Sequence, residues 1–139
     1  MTPASVTSAK AFDTEALVAL WDVCGLTRPW NDPRADIALA LETPTSDILI
    51  IRHDAEIVAS AVIGFDGHRG WVYYLAVAPN CRGTGLGKVM MAACEAWLRE
   101  RGSPKIQFMV REDNTAALCF YERLGYERQA VVTLGRRLD

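Results

Sequence analysis

The sequence predicts an α/β fold in which helices flank a mixed central sheet. Three observations predict it: helical patterns alternate with apolar, strand-like runs, two of these runs are separated only by a short turn, and a third is apolar on both faces. At 139 residues, the chain has the usual size of one compact domain. We therefore expect a single domain that spans residues 1–139.

The composition is that of a globular protein and excludes several classes. Half of the residues are apolar and 23% are charged, which argues against a disordered chain. A net charge of −2 provides no overall positive field for a nucleic acid or an anionic membrane. No stretch approaches the roughly 20 apolar residues that span a bilayer, and residues 1–9 lack the pattern of a secretion signal. We therefore expect a cytoplasmic protein that binds neither a nucleic acid nor a membrane.

The cysteines and histidines do not form a metal-binding pattern. The four cysteines lie far apart without a Cys-x-x-Cys pair, and neither histidine stands at ligand spacing from them. Cysteines of cytoplasmic proteins usually stay reduced and pack as small apolar residues. We therefore expect no metal site, and of the four cysteines only Cys81, which lies in a turn, to be reactive.

A strand and a helix open the chain. Residues 5–11 are predicted to form the first strand, Asp13 is a suitable N-cap for the helix that follows, and Gly25 ends this helix. The positions on its apolar face are Leu17, Leu20, Trp21 and Cys24.

A second helix follows the proline-rich loop at residues 28–33. Asp32 is its predicted N-cap, Pro33 its first residue, and Pro44 ends it. The expected buried stripe consists of Ile37, Ala38 and Leu41.

Three strands come next. Residues 48–52 and 57–65 are rich in Ile and Val, and the intervening residues 53–56 are typical of a hairpin turn. A second turn, residues 66–70, leads into residues 71–78. This last run is apolar on both faces, which predicts a central strand.

The second half of the chain predicts a helix, a strand, a helix and a final strand. The first helix covers residues 86–101, and Gly102 takes its C-cap position. Its inward positions are Val89, Met90, Ala93 and Trp97. Residues 105–111 predict a strand, residues 114–124 a helix, and residues 127–138 a closing strand or hairpin.

The most informative segment is residues 77–88, where a strand ends, a glycine-rich turn follows and a helix begins. Amides at a helix N-terminus point outward on the positive end of the helix dipole, so they can bind phosphate oxygens, and glycine lets a ligand approach the backbone. Arg82 and Lys88 at the rim favour an anion site. A turn that only permits close packing of strand and helix is the alternative.

Two familiar phosphate-binding motifs are not matched. A P-loop has Gly five residues before the Gly-Lys pair and Ser or Thr after it, whereas Arg82 and Val89 stand here. A dinucleotide fingerprint has the spacing GxGxxG and an acidic residue about 20 positions later. Here the spacing is GxGxG, and residues 105–107 carry no acidic side chain.

The sequence of this turn resembles a known family motif. Residues 82–87 read RGTGLG, which is similar to the acetyl-CoA motif Arg/Gln-x-x-Gly-x-Gly/Ala of the Gcn5-related N-acetyltransferases, the GNAT family. Residues 114–126 resemble that family's second motif, N-x-x-A-x-x-[FL]-Y-x-x-x-G-[FY], at the family's usual separation. The resemblance implies the GNAT fold: a mixed, mostly antiparallel sheet of six to seven strands, splayed at its centre and flanked by about four helices. Residues 28–33, 66–70 and 134–138 resemble the small bacterial YpeA subgroup.

The resemblance implies an acetyl-CoA-dependent N-acetyltransferase. A primary amine of a small molecule or peptide would attack the thioester directly in a ternary complex, so that the protein mainly orients the reactants and stabilises the oxyanion. Tyr121 would donate a proton to the departing thiolate. The implied cofactor-binding positions are Leu75 and Val77 in a bulge of the central strand, Arg82, Gly83, Thr84, Gly85, Gly87 and Lys88 for the pyrophosphate, and Asn114 for the pantetheine arm.

The general base is left open by the sequence. Relatives often place a Glu on the central strand or on the following one, but the corresponding residues here are Trp71 and Met109, neither of which can accept a proton. The alternatives are Tyr73 through a water, Asp66, His68, Glu112 and bulk water.

Recognition of the amine is expected at the least generic segments. Asp32 and Asp66 could pair with an ammonium group, Trp30 could stack on the substrate, and Tyr73 is a further candidate. Their alternative roles are a helix cap, a turn residue and packed aromatic side chains.

Two other functions stay open: an acyl-CoA-binding regulatory module without catalysis, and acetylation of protein N-termini. The second is suggested by residues 110–111 with Asn114 and Tyr121, which resemble the ribosomal-protein alanine acetyltransferases, although Met109 stands where those have Glu. A homodimer is the expected assembly.

Overall fold

The computed structural model describes residues 5–139 of the protein. These residues contain five strands and four helices: β1 Val6–Ser8, α1 Thr14–Val23, α2 Pro33–Glu42, β2 Ser46–His53, β3 Glu56–Phe65, β4 Gly70–Val77, α3 Leu86–Glu100, β5 Ile106–Phe108 and α4 Thr115–Arg123. The element order up to α4 is the predicted one. The chain divides into two compact units, the first ending at Met109 and the second being Val110–Asp139. Residues 1–4, part of the segment from which a cytoplasmic location is predicted, lie outside the described residues.

The five strands form one sheet in the order β1-β2-β3-β4-β5. The first three pairings are antiparallel and the last, between β4 and β5, is parallel. A mixed, mostly antiparallel sheet is therefore confirmed. β3 lies at its centre, and the run from Ile57 to Ala61 is buried on both faces because helices cover both sides of the sheet.

The expectation of six to seven strands is wrong, since the described residues form five. Residues 127–138, the predicted closing strand, have no regular secondary structure, and their apolar side chains Val131, Val132 and Leu134 are exposed. Apolar residues in a predicted strand do not by themselves supply the neighbouring strand with which backbone groups must pair. The strand predicted at residues 105–111 is likewise shortened to β5, Ile106–Phe108.

Helices α1 and α2 cover one face of the sheet. Their buried residues form a core cluster with alternate residues of β2, and this cluster consists of Ala9, Leu17, Leu20, Trp21, Ile37, Ile48, Ile50, Ile57 and Ala76. Full burial of one large apolar side chain contributes about 1.5–3 kcal/mol, so Leu17, Trp21 and Ile37 anchor the two helices. Asp32 caps α2 as predicted, since its Oδ1 accepts hydrogen bonds from the amides of Arg34 and Ala35.

Helix α3 packs against the opposite face, toward which Leu49 and Ile51 point because successive strand residues alternate in direction. Its buried face is wider than predicted. Val89 and Ala93 are only half-buried, and the fully buried positions are Leu86, Met90, Met91, Cys94, Trp97 and Leu98. Strand and helix approach closely at Gly70, where an added Cβ would lie 2.4 Å from Leu98.

Two details of the helices differ from the prediction. Asp13 takes the N-cap position of α1 as predicted, but its carboxylate accepts no hydrogen bond from the first turn of that helix. It is buried, and it accepts hydrogen bonds from Arg52 Nη2 at 2.6 Å and from the Lys10 amide at 2.9 Å. In α2, Ala38 is exposed and does not join the buried stripe, because the helix contacts the sheet through Ile37 and Leu41.

The second unit contains α4 and an extended tail. Asn114 Oδ1 caps α4 by accepting a hydrogen bond from the Ala117 amide at 3.2 Å, and Gly125 follows the helix in a left-handed conformation. Residues 127–139 are exposed. Across residues 5–139, every helix is too short or too polar to cross a bilayer.

Candidate functional site

Strand β4 contains a bulge in its middle. Ser60 of β3 pairs with Ala76, but Val62 pairs with Tyr73, so Tyr74 and Leu75 together stand opposite one residue of β3. Tyr74 has a φ of +52°, which turns the backbone at this point. The bulge that the resemblance implies is therefore confirmed in β4, which is an interior strand of the sheet, although β3 and not β4 is its middle strand. Leu75, a predicted cofactor position, lies within the bulge.

The other edge of β4 is paired over only part of its length. The parallel ladder with β5 joins Gly70 to Ile106 and ends where Val72 meets Phe108. Beyond this point β4 continues to Val77 without a β5 partner, so the sheet opens on this side directly before the bulge. Leu75 and Val77 both lie in this opened part of the strand.

The carbonyl of Val77 fixes the end of β4. It accepts one hydrogen bond from Sγ of Cys24, the residue that follows α1, and one from Nε of Arg82, each at 3.3 Å. Arg82 therefore braces the strand end from the turn, while its exposed position leaves other guanidinium N–H groups facing solvent. The hydroxyl of the exposed residue Thr84 donates a hydrogen bond to the Cys81 carbonyl and so links the two ends of the turn.

The glycine-rich turn connects β4 to α3 with a backbone conformation and an open front that suit a phosphate-binding site. Gly83 and Gly85 have φ values of +79° and +86°, and a Cβ added at either would meet no protein atom within 4 Å. Both glycines are thus needed for backbone conformation and leave open space in front of the turn.

The N-terminus of α3 has no side-chain cap, in contrast to α2 and α4. Gly85 holds the N-cap position, and the Val89 amide makes the first hydrogen bond, to the Gly85 carbonyl at 3.1 Å. The amides of Leu86, Gly87 and Lys88 precede this bond at the positive end of the helix dipole. Lys88 is exposed at the rim. The arrangement can hold an anionic group such as a pyrophosphate.

The predicted substrate residues are of two kinds: carboxylates that already accept hydrogen bonds from the protein, and exposed aromatic rings. Asp32 uses one oxygen to cap α2. Asp66 is more fully engaged, because Oδ1 accepts from the amides of His68 and Arg69 and Oδ2 accepts from Trp71 Nε1. Trp30 is 57% exposed and Tyr73 is 44% exposed. Both rings can therefore meet a ligand from solvent.

The candidate bases differ in how well they can accept a proton. The amides of Arg69 and His68 hold the pKa of Asp66 below its usual range, which makes it a weaker base. Partial burial and then the charge of Asp66 raise the pKa of Tyr73, which keeps the phenol protonated. Trp71 and Met109 lack a basic group in any environment. His68 and Glu112 are exposed.

The second unit carries the remaining two predicted site residues. Asn114 uses Oδ1 to cap α4, and its amide Nδ2 is a donor that capping does not require. Tyr121 is half-buried on α4, with its ring edge-on to Phe120 at 5.0 Å and to Tyr126 at 6.1 Å between centroids. The aromatic contacts restrict the direction of the Tyr121 phenol.

The structure adds a group of residues that the sequence did not indicate. Trp21, Asp36 and Ser60 all contact Tyr74 at the bulge. These residues come from three different elements, so no spacing along the chain could have found them. The local signal is limited to the Tyr73-Tyr74 pair, in a strand that also contains Trp71.

The cysteines are all free thiols. Burial raises the pKa of the Cys94 thiol to about 12, which makes it inert. Cys119 is exposed whereas Cys81 is half-buried, so exposure does not single out Cys81 as the reactive one. Among residues 5–139, the His, Cys, Asp and Glu side chains form no group of three that could hold a metal ion.

Comparison with known proteins gives consistent matches. The model of the Acetyltransferase (GNAT) family matches residues 14–126. The chain is 47% identical over 126 residues to an acetyltransferase from Pectobacterium atrosepticum, covering 91% of this chain and 89% of that protein.

Two solved structures illustrate the likeness in fold. An aminoglycoside N-acetyltransferase in complex with CoA has a TM-score of 0.83 at 18% identity, over 100% of this chain and 97% of that one. The ribosomal-protein-S18-alanine N-acetyltransferase from Escherichia coli has a TM-score of 0.79 at 20% identity, over 92% of this chain and 80% of that one.

Proposed function

Since the chain belongs to the Acetyltransferase (GNAT) family, we propose that it transfers an acetyl group from acetyl-CoA to a primary amine of a small molecule or peptide. The observation that carries the proposal is the continuous segment of residues 73–88, in which a bulge leads into a glycine turn and a helix N-terminus without a side-chain cap. Direct attack of the amine in a ternary complex requires mainly orientation of the reactants and stabilisation of the oxyanion, which backbone amides can supply.

We place this activity in one acetyltransferase domain over residues 1–139. The family match, residues 14–126, includes parts of both compact units, which supports the assignment. Each unit also carries one of the two motifs, because residues 82–87 lie in the first and residues 114–126 in the second.

The cofactor is held mainly by backbone groups in this proposal. The amides of Leu75 and Val77 bind the pantetheine arm and polarise the acetyl carbonyl, and their position in the opened part of β4 supports this role. The turn and the first amides of α3 bind the pyrophosphate. The open space in front of Gly83 and Gly85 admits the phosphate oxygens. The residues of this pyrophosphate site are Arg82, Gly83, Thr84, Gly85, Gly87 and Lys88.

Tyr121 acts as the acid, and Asn114 assists in binding. The Tyr121 phenol donates a proton to the departing thiolate, for which a group that stays neutral and protonated at pH 7 is suited. Its ring contacts with Phe120 and Tyr126 support a fixed orientation. The Asn114 side-chain amide donates to the pantetheine arm while its oxygen caps α4.

The amine contacts exposed aromatic surface and an acidic side chain. Trp30 and Tyr73 contribute ring faces, and Asp32 offers the carboxylate oxygen that does not cap α2. Asp66 takes part through its charge, since both its oxygens already accept hydrogen bonds from the protein. The low pKa of Asp66 and the high pKa of Tyr73 favour loss of the amine proton to water. The YpeA resemblance, the homodimer and the cytoplasmic location stay predictions.

The first experiment separates binding from catalysis. Thermal unfolding is followed with acetyl-CoA, CoA, NADH and ATP, each in large excess. A ligand at 100 times its dissociation constant stabilises the fold by about 2.7 kcal/mol, a shift of several degrees for a domain of this size. We expect shifts with acetyl-CoA and CoA only. Amines are then screened by release of free thiol from acetyl-CoA.

The Tyr121→Phe variant tests the catalytic assignment. We expect it to bind acetyl-CoA with near-normal affinity and to turn over about 10²-fold more slowly, because only the donated proton is lost. Unchanged turnover would reject Tyr121 as the acid. A chain that binds acyl-CoA but transfers nothing to any amine tested would instead be a regulatory binding module.

A further inference from the structure

Tyr74 has a backbone conformation that is unusual for its residue type. Within residues 5–139, only Asp54 and Tyr74 combine a positive φ with a side chain, and Asp54 lies in the β2–β3 hairpin turn, where such a conformation is common. For a bulky aromatic residue inside a strand it is an outlier. Such a conformation persists only where surrounding contacts impose it, and it is found preferentially at functional sites.

The side chain of Tyr74 is fixed at both ends. Its ring stacks on Trp21 of α1, with centroids 3.9 Å apart and an interplanar angle of 4°. Its hydroxyl donates to Asp36 Oδ2 of α2 at 2.7 Å. Burial and then the Asp36 carboxylate raise the pKa of Tyr74, so the phenol stays a proton donor in this bond.

The backbone of Tyr74 is held through a second route. Ser60 of β3, which is completely buried, donates its hydroxyl to the Tyr74 carbonyl at 3.2 Å. The same hydroxyl accepts the indole N–H of Trp21 at 2.9 Å. Trp21 therefore contacts Tyr74 directly through its ring and indirectly through Ser60, and the two routes together fix both the ring and the peptide group at the bulge.

We propose that these four residues, Trp21, Asp36, Ser60 and Tyr74, form a support that positions the β4 bulge for acetyl transfer, with Tyr74 as the positioning residue. The inference rests on the proposed function, because the amide assigned to the acetyl group belongs to Leu75, the next residue along the bulge. The four residues lie outside the glycine-rich turn of residues 82–88 in the sequence, so variants of the support leave the residues of that turn unchanged. The support sets the direction of the bulge amides.

The support also connects the two sides of the reaction. Trp21 and Asp36 belong to α1 and α2, the helices that border the loop at residues 28–33, where recognition of the amine is proposed. The ring stack and the hydroxyl bond therefore join both helices to the bulge.

Tyr74→Phe tests the inference because it keeps the ring stack and removes only the hydroxyl that bonds Asp36. A hydrogen bond to a charged group corresponds to about a tenfold change in an equilibrium or rate constant. We expect kcat to fall about tenfold and the Kd for CoA to rise by a smaller factor, since the bulge amides bind only the pantetheine part of CoA and the residues of the pyrophosphate site are unchanged. The Leu75 amide resonance should shift in a ¹H–¹⁵N spectrum.

Asp36 provides the matched variants. Asp36→Ala removes the same hydrogen bond by deleting its acceptor, and it should lower kcat as much as Tyr74→Phe does. It also keeps the inference testable if Tyr74→Phe folds poorly. Asp36→Asn keeps an oxygen that can accept the hydrogen bond from the Tyr74 hydroxyl, so this variant should keep most of the wild-type kcat. Arg52→Gln breaks the Asp13 ion pair elsewhere in the first unit. It should lower the melting temperature without changing kcat or the Leu75 resonance.

The outcomes separate this inference from the proposed function. If the wild-type protein binds no acetyl-CoA, the proposed function fails and the inference fails with it. If the wild-type protein is active and Tyr74→Phe and Asp36→Ala keep full kcat, the positioning role alone is overturned. A loss of melting temperature without a change in kcat or in the Leu75 resonance would likewise reduce the four residues to a structural role.

Discussion

Asp13 illustrates how one buried charge is stabilised in this fold. Its carboxylate is 3% exposed and accepts hydrogen bonds from Arg52 and from the Lys10 amide. Burial alone would raise the pKa of Asp13, but the Arg52 guanidinium and the Lys10 amide together hold it below its usual range. Asp13 could be placed before α1 from the sequence, whereas its partner Arg52 lies on β2, 39 positions away, and no sequence pattern links them.

Asp13→Asn should destabilise the protein in a pH-dependent way. We expect a loss of about 2 kcal/mol at pH 7, less than for a fully buried pair because Arg52 is partly exposed. Because the folded pKa is lowered, the stabilisation is present above the unfolded carboxyl pKa of about 3.9 and disappears as the pH falls through the folded value. Urea unfolding of both proteins at pH 7 and near pH 3 measures this.

Glu15→Gln is the control for this measurement, since it breaks the exposed ion pair with Arg34. We expect little change in its stability at either pH. A difference between wild-type protein and Asp13→Asn that is the same at pH 7 and near pH 3 would contradict the role assigned to the ionised carboxylate.

Elements with a local cause were predictable, and those that depend on distant partners were not. The cap of α2 at Asp32 and the glycine turn before α3 follow from residue types at fixed spacing. The β4 bulge does not, because its pattern is that of a continuous apolar strand and the conformation of Tyr74 is imposed by Trp21 and Ser60. Only the family resemblance indicated a bulge there. The absence of the predicted closing strand at residues 127–138 was also unpredictable from the sequence, because a strand forms only where another strand is available to pair with it.

Helix α3 offers a matched pair of glycines for testing the cradle. Gly85 precedes the helix with φ +86° and Gly102 follows it with φ +79°, and an added Cβ meets no protein atom within 4 Å at either position. Replacing either glycine with alanine should cost about 1–2 kcal/mol through the left-handed backbone. Only Gly85→Ala should also weaken CoA binding, because its Cβ enters the space proposed for the pyrophosphate. Thermal unfolding with and without CoA measures both effects, and equal CoA shifts for the two variants would argue against the cradle.

At the scale of the whole molecule, the two units differ in how they are stabilised. The first unit contains the sheet, the buried core and the pyrophosphate turn. In the second unit, α4 has no fully buried residue, although it carries Asn114 and Tyr121. The sequence predicted both motifs, but it could not predict this imbalance, because burial depends on how much surface each element covers. A segment with few buried contacts opens more readily by local unfolding.

Amide hydrogen exchange should therefore test the roles proposed for residues of each unit. Without ligand, we expect the amides of β3 and α3 to be the most protected and those of α4 to exchange faster. Acetyl-CoA at 100 times its dissociation constant should slow exchange at residues 83–89 and also within α4, by up to about 10²-fold where opening requires release of the ligand. NADH at the same concentration serves as the control and should protect neither region. Protection limited to the turn would contradict the roles proposed for Asn114 and Tyr121, while protection in both regions would mean that one ligand stabilises both motifs.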